Sequence, residues 1–195
     1  MLSGQVRMIA VARQLGRRVA GWSDLARTAA LAGALAVSAV GMALASGSSG
    51  LGWVGCIGLL PLFQAIRVLS PVSAGAAGAF WGVCLFAAAS QVGGVSLRSD
   101  LLGFALLAVI PGLYTGLGAG LTRRVGFSPY LLALGWVGVE FSLHPLGLRN
   151  GLLAATLGDG FALRVLGSFA GYVLVAFLVA YLNAALVCVL SKVRF

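Results

Sequence analysis

Charge is scarce in this sequence. Charged residues fill 9% of the 195 positions, only four of them are acidic, and hydrophobic residues fill 61%. A water-facing surface usually carries about 25–35% Lys, Arg, Glu and Asp of both signs, so a conventional soluble globule is excluded. The solvent for most of the chain must be lipid. Histidine is nearly absent too: His144 stands alone, with no cysteine near it in sequence. A structural zinc site draws its ligands from several Cys and His residues at short spacing, so no metal and no cofactor is expected. The three cysteines, Cys56, Cys84 and Cys188, all lie inside apolar runs. A thiol there behaves as a small hydrophobe, and no disulfide framework or redox compartment is read from the three.

The formal charge of +9 is the one feature that points toward nucleic acid. Its basic residues, however, are not gathered on one face with interleaved aromatics. They sit between apolar runs, as membrane topology requires, so nucleic acid is not an expected partner.

A bilayer helix takes about 20 mainly apolar residues, which leaves room for about six spans with short loops. The expected fold is an all-α integral membrane bundle. It has a basic arm over residues 1–27, a transmembrane domain over 28–191 and a basic tail over 192–195. The spans read as Thr28 to Ser46, Leu51 to Ile66, Val72 to Val95, Leu102 to Thr122, about Ser128 to Leu143 and about Val165 to Leu190. A Gly/Ser hinge, Gly47-Ser48-Ser49-Gly50, follows the first. The Gly-rich stretch from Pro145 to Phe161 is too interrupted for a span and reads as a re-entrant or surface segment.

Threading these spans alternately puts Arg7, Arg13, Arg17, Arg18, Arg27, Arg67, Arg123, Arg124, Lys192 and Arg194 on one side, and Arg98, Arg149 and Arg164 on the other. Lys and Arg are retained on the cytoplasmic side during insertion, so ten against three predicts two cytoplasmic termini. The arm before Thr28 spaces Met8, Val11, Leu15, Val19 and Trp22 near a helical period. It reads either as an interfacial helix or as a disordered topogenic arm. Ala43-Leu44-Ala45 resembles a signal-peptidase site, but the apolar run is long and the arm before it too extended for a cleaved signal.

Glycines recur four apart at Gly78 and Gly82, at Gly112, Gly116 and Gly120, and at Gly167 and Gly171. Each set therefore shares a helix face. Small residues let helix backbones approach closely where lipid supplies no hydrophobic drive. These sets predict packing within the bundle, with a dimer seam as the alternative.

Glu140 is the one acidic residue inside a predicted span. A comparable Asp at the helix centre costs about 2.5–3.5 kcal/mol to insert, so Glu140 needs a partner or water. His144, four residues on, shares its helix face, and Arg149 follows in the next loop. The pair forms a candidate intramembrane polar site, read as structural or as a proton relay, near the outer helix end where water reaches. His144 as a haem or pigment ligand is the remoter reading. Ser142 lies close to both, yet no G-x-S-x-G frame surrounds it. Gln91, Tyr114 and Asn183 read as interhelical hydrogen-bonding groups.

Several segments taken in order carry a family resemblance. WVGCIGLLPL from Trp53 to Leu62, GAFWGVCLF from Gly78 to Phe86 and LYTGLGAGL from Leu113 to Leu121 resemble the second, third and fourth helices of bacterial apolipoprotein N-acyltransferase. Trp136 and Glu140 fall where that family's fifth helix carries a tryptophan and a glutamate. Gly171-Tyr172 with Asn183-Ala184-Ala185-Leu186 is similar to the helix after it. In the family these helices hold a periplasmic nitrilase-like domain whose Glu, Lys and Cys transfer an acyl group from phospholipid to a lipoprotein amino terminus. This chain reaches Phe195 after what would be the sixth helix, and none of those three residues has a counterpart in it. The family's Gly-Phe-Pro-Trp stretch is replaced by LRNGLL from Leu148 to Leu153, the arginine after its glutamate is missing, and Val92 stands where tryptophan is usual.

The resemblance implies a bacterial inner-membrane protein. The expected role is a non-catalytic subunit whose partners are membrane lipids and other membrane proteins, or a pigment assembly. The rivals are the membrane half of a split acyltransferase and a small transporter, the latter without the internal repeat that such folds show.

Overall fold

The computed structural model of the protein describes residues 26–45, 52–93, 97–142, 153 and 161–192, with side chains over 26–45, 53–91, 101–142, 153 and 171–191. The described elements are helical: α1 Ala26–Ala45, then α2 Gly52–Ile57, α3 Leu60–Val68, α4 Pro71–Gly93, α5 Leu97–Val125, α6 Pro129–Ser142 and α7 Phe161–Lys192. Most of the basic arm, the Gly/Ser hinge, almost all of the Pro145 to Phe161 stretch and the last three residues of the tail fall outside the described residues.

The chain divides into two compact units, Met1–Ala34 and Leu35–Phe195. In the first, residues 26–34 form the opening turns of α1, with exposed or half-exposed side chains. The second holds everything that follows.

Helix boundaries in the second unit follow local chemistry. Ser70 stands before Pro71, and its Oγ accepts a hydrogen bond from the Ser73 N–H at 3.2 Å. A serine cap followed by proline at the first helical position satisfies one orphan donor and supplies a residue with none. Ser128 and Pro129 open α6 in the same way. At the far end of α5, Gly126 adopts φ +85° and donates its N–H to Thr122 O at 3.0 Å. This left-handed glycine stop is disfavoured for a residue with a Cβ.

Two expected spans are not among the helices long enough to cross a membrane. The run from Leu51 to Ile66 is broken into α2 and α3 by a turn at Gly58-Leu59, because Pro61 belongs in the first turn of a helix and not in its interior. The fifth run is α6, 14 residues and so about 21 Å long. The last run, α7, has non-helical geometry at Gly171, φ 74° and ψ 162°, where the reading above has one uninterrupted helix.

Among the described residues, four helices are long and apolar enough to cross a membrane: Ala26–Ala45, Pro71–Gln91, Leu101–Val125 and Gly171–Ser191. Only 28–39% of each such span is buried within the protein. The remainder is half-buried or exposed and mostly apolar, with Val72 84%, Leu101 75% and Leu117 72% exposed. Helices apolar all round belong in a lipid solvent.

Candidate functional site

The tightest helix pair, α4 with α5, is made by glycine. A Cβ at Gly78 would strike Thr115 Oγ1 and the carbonyl of Pro111, and one at Gly82 would strike the carbonyl of Leu107. From the other side, a Cβ at Gly112 would lie 3.1 Å from Gly75 O, and one at Gly116 3.2 Å from Pro71 O. Proline at 111 explains part of this. It has no N–H for the carbonyl of residue 107, and that carbonyl is where Gly82 comes closest. Thr115 Oγ1 lies 2.8 Å from both Pro111 O and Ala74 O, so one hydroxyl serves its own helix and its neighbour.

The glycines of the sequence reading separate here. Gly78, Gly82, Gly112 and Gly116 face a neighbouring helix. Gly120 does not, since a Cβ there would meet nothing within 4 Å. Gly171 likewise has open space and acts as the bend of α7. The surroundings of Gly167 lie outside the described side chains.

An aromatic cluster lies beside this pair. Tyr114 on α5 sits between Phe63 of α3 and Trp136 of α6, at centroid distances of 6.5 and 5.5 Å, and Trp136 meets Trp81 of α4 at 6.1 Å. All three contacts are edge-to-face, the arrangement that the ring quadrupoles favour. The polar edges are satisfied. Tyr114 donates to Leu132 O at 2.8 Å. Trp81 Nε1 donates to Ser38 Oγ at 2.9 Å, and Ser38 donates to Gly58 O at 2.6 Å.

Glu140 belongs to the same core. Its Oε1 accepts from Trp136 Nε1 at 2.9 Å and from the Leu153 backbone N–H at 3.0 Å. The carboxylate is 1% exposed, which corrects the expectation of a water-reached helix end. A charge out of water must be hydrogen-bonded to be tolerated, and these donors meet that need. His144 and Arg149 lie outside the described residues. Ser142 does not join Glu140; its Oγ donates to Gly138 O at 2.8 Å.

Asn183 on α7 donates Nδ2 to Cys56 O at 2.7 Å and to Val179 O at 2.8 Å, and its Oδ1 is buried without a hydrogen-bond partner. Gln91 instead lies exposed near the end of α4. Cys56 is exposed, and Cys84 and Cys188 are half-buried and free. Among the described residues no three His, Cys, Asp or Glu side chains gather as metal ligands would.

Thr115, Ser38 and Leu153 are contacts that the sequence reading missed. A lone hydroxyl in an apolar run signals an interhelical bond without naming its acceptor, and a backbone N–H at residue 153 carries no sequence signal at all. The arrangement ties helices together and holds one carboxylate. What it defines, among the described residues, is a helical protein with four candidate membrane-spanning helices. Protein-family models, curated proteins and solved structures offer no match to the chain.

Proposed function

We propose that the protein is a non-catalytic integral membrane subunit, built on a helical plan like that of apolipoprotein N-acyltransferase, that binds another membrane protein or a lipid or pigment assembly. It resides in a bacterial inner membrane with both termini in the cytoplasm. On this reading α2 with α3 and the short α6 complete six crossings. Lipid thinning, snorkelling flanking residues or a neighbouring protein accommodates the two shorter ones.

The observation that carries the reading is the outward apolar surface of the candidate spans, of which no more than 39% is buried. A chain with this surface meets its surroundings chiefly through helix faces. The engagement of Glu140 by Trp136 and Leu153 supports a structural use of the most chemically capable side chain described.

The test is purification from the native membrane in mild detergent. A stoichiometric membrane-protein or pigment companion, lost when bulky polar residues are placed on the outward faces, supports a subunit role. A parallel assay supplies phospholipid and a diacylated lipopeptide. Triacylated product from the isolated chain overturns the non-catalytic reading. Product formed only with a separate nitrilase-domain protein replaces it with the split enzyme.

A further inference from the structure

Between α5 and α6 runs a groove of about 930 Å³, at the upper end of the range of about 300–1,000 Å³ typical of small-ligand sites. Its walls are apolar, including Leu113, Leu117 and Leu131, and Arg124 stands at one end. Gly120 and Gly138 line it, and a Cβ on either would meet nothing within 4 Å. Among the described residues, no side chain fills this part of the groove.

We infer that the α5/α6 groove seats an anionic diacyl phospholipid of the cytoplasmic leaflet, its phosphate at Arg124 and an acyl chain along the groove past Gly120 and Gly138. The inference rests on the membrane reading above. Two observations select this occupant. First, the groove ends in an arginine, with Arg123 exposed beside it in the last turn of α5. Glu140, the one acidic residue whose side chain is described, is held by Trp136 and Leu153. Basic pockets between transmembrane helices on the cytoplasmic side suit lipid phosphates.

Second, the groove is long enough for an acyl chain of one leaflet. It follows α5 from Ile110 to Arg124, about 21 Å at 1.5 Å per residue. The hydrocarbon core is about 30 Å thick, so the acyl chain of one leaflet reaches about half that depth. The groove covers that length.

Native mass spectrometry of the full chain in mild detergent, titrated with phosphatidylglycerol or phosphatidylcholine of matched acyl chains, tests this. Phosphatidylglycerol is expected to bind the native chain more tightly. Arg124→Gln should weaken it about fivefold, the effect of one basic group near anionic lipid. Gly120→Leu fills the groove without a clash at its Cβ and should weaken both lipids. Gly138→Leu approaches from the α6 side and serves the same purpose. Equal retention of the two lipids by the native chain, or unchanged binding in Arg124→Gln, overturns the inference. So does a photo-crosslinker at Leu117 that captures protein and not lipid in native membranes. A chain that alkaline carbonate strips from the membrane defeats the membrane reading itself. An integral chain without lipid preference defeats only the lipid site.

Discussion

Gly82 is held against the backbone carbonyl of Leu107, the acceptor whose helical donor is missing because residue 111 is proline. The two features belong together. Proline leaves a bare carbonyl on the face of α5, and glycine on α4 lets a second backbone close over it. Contacts of Cα–H with a carbonyl recur at close helix interfaces, and here the acceptor has no competing partner in its own helix.

Gly82→Ala should therefore destabilise the fold by about 1–3 kcal/mol, the usual effect of overpacking. Gly120→Ala should be neutral or stabilising by up to about 1 kcal/mol, since alanine is the better helix former and the site is open. Unfolding by SDS titration of the two purified variants separates them. Equal effects would show that the α4 and α5 backbones are not in contact.

Thr115→Val tests the hydroxyl in the same interface. The methyl replaces Oγ1 with little change of volume, so the loss is confined to the bonds to Ala74 and Pro111. An interhelical hydrogen bond of this kind contributes about 0.6 kcal/mol and rarely more than about 1.7. A shift in the SDS midpoint above that range would mean that the threonine also positions Gly78, where an added Cβ would strike Oγ1.

Much of the fold is legible in composition and run length, because a lipid solvent demands about 20 apolar residues for each crossing. The spans from Thr28, Val72 and Leu102 each lie within four residues at either end of the candidate spans seen in the structure. The break between α2 and α3 was written in Gly58 and Pro61 but was masked by the hydropathy of their neighbours. Spacing placed Gly116 and Gly120 on one face, yet only Gly116 meets a neighbour. A four-residue period specifies the side of a helix and not how far along it the neighbour reaches. Glu140 announced its need for a partner. Trp136 was visible four residues before it, whereas Leu153 contributes a main-chain group that no residue type encodes.

Glu140→Gln should be mild and Glu140→Ala severe. Glutamine keeps a carbonyl oxygen for Trp136 Nε1 and Leu153 N, while alanine leaves both buried donors without it, at about 1–3 kcal/mol each. Thermal unfolding in detergent, read by the fluorescence of Trp136 against a Trp136→Phe reference, reports both stability and the indole environment. Similar loss in the two variants would point to the charge, and not the acceptor oxygen, as what the core requires.

The bend in α7 offers a test of backbone conformation separate from packing. Gly171 has φ 74° and ψ 162°, and a Cβ there would meet nothing within 4 Å. Side chains are therefore not the obstacle, but this region of backbone space is open essentially to glycine alone, and forcing another residue into it costs about 1–3 kcal/mol. Gly171→Ala relieves that strain if the bend straightens into continuous helix. Alanine should accordingly lower the SDS midpoint while disturbing the Phe141–Tyr172 ring contact beside the bend, now 6.2 Å between centroids. Cysteines engineered at those two positions and joined by a flexible bifunctional thiol reagent would cross-link efficiently in the native background and poorly with Gly171→Ala. Unchanged cross-linking together with unchanged stability would show that α7 runs through residue 171 as ordinary helix.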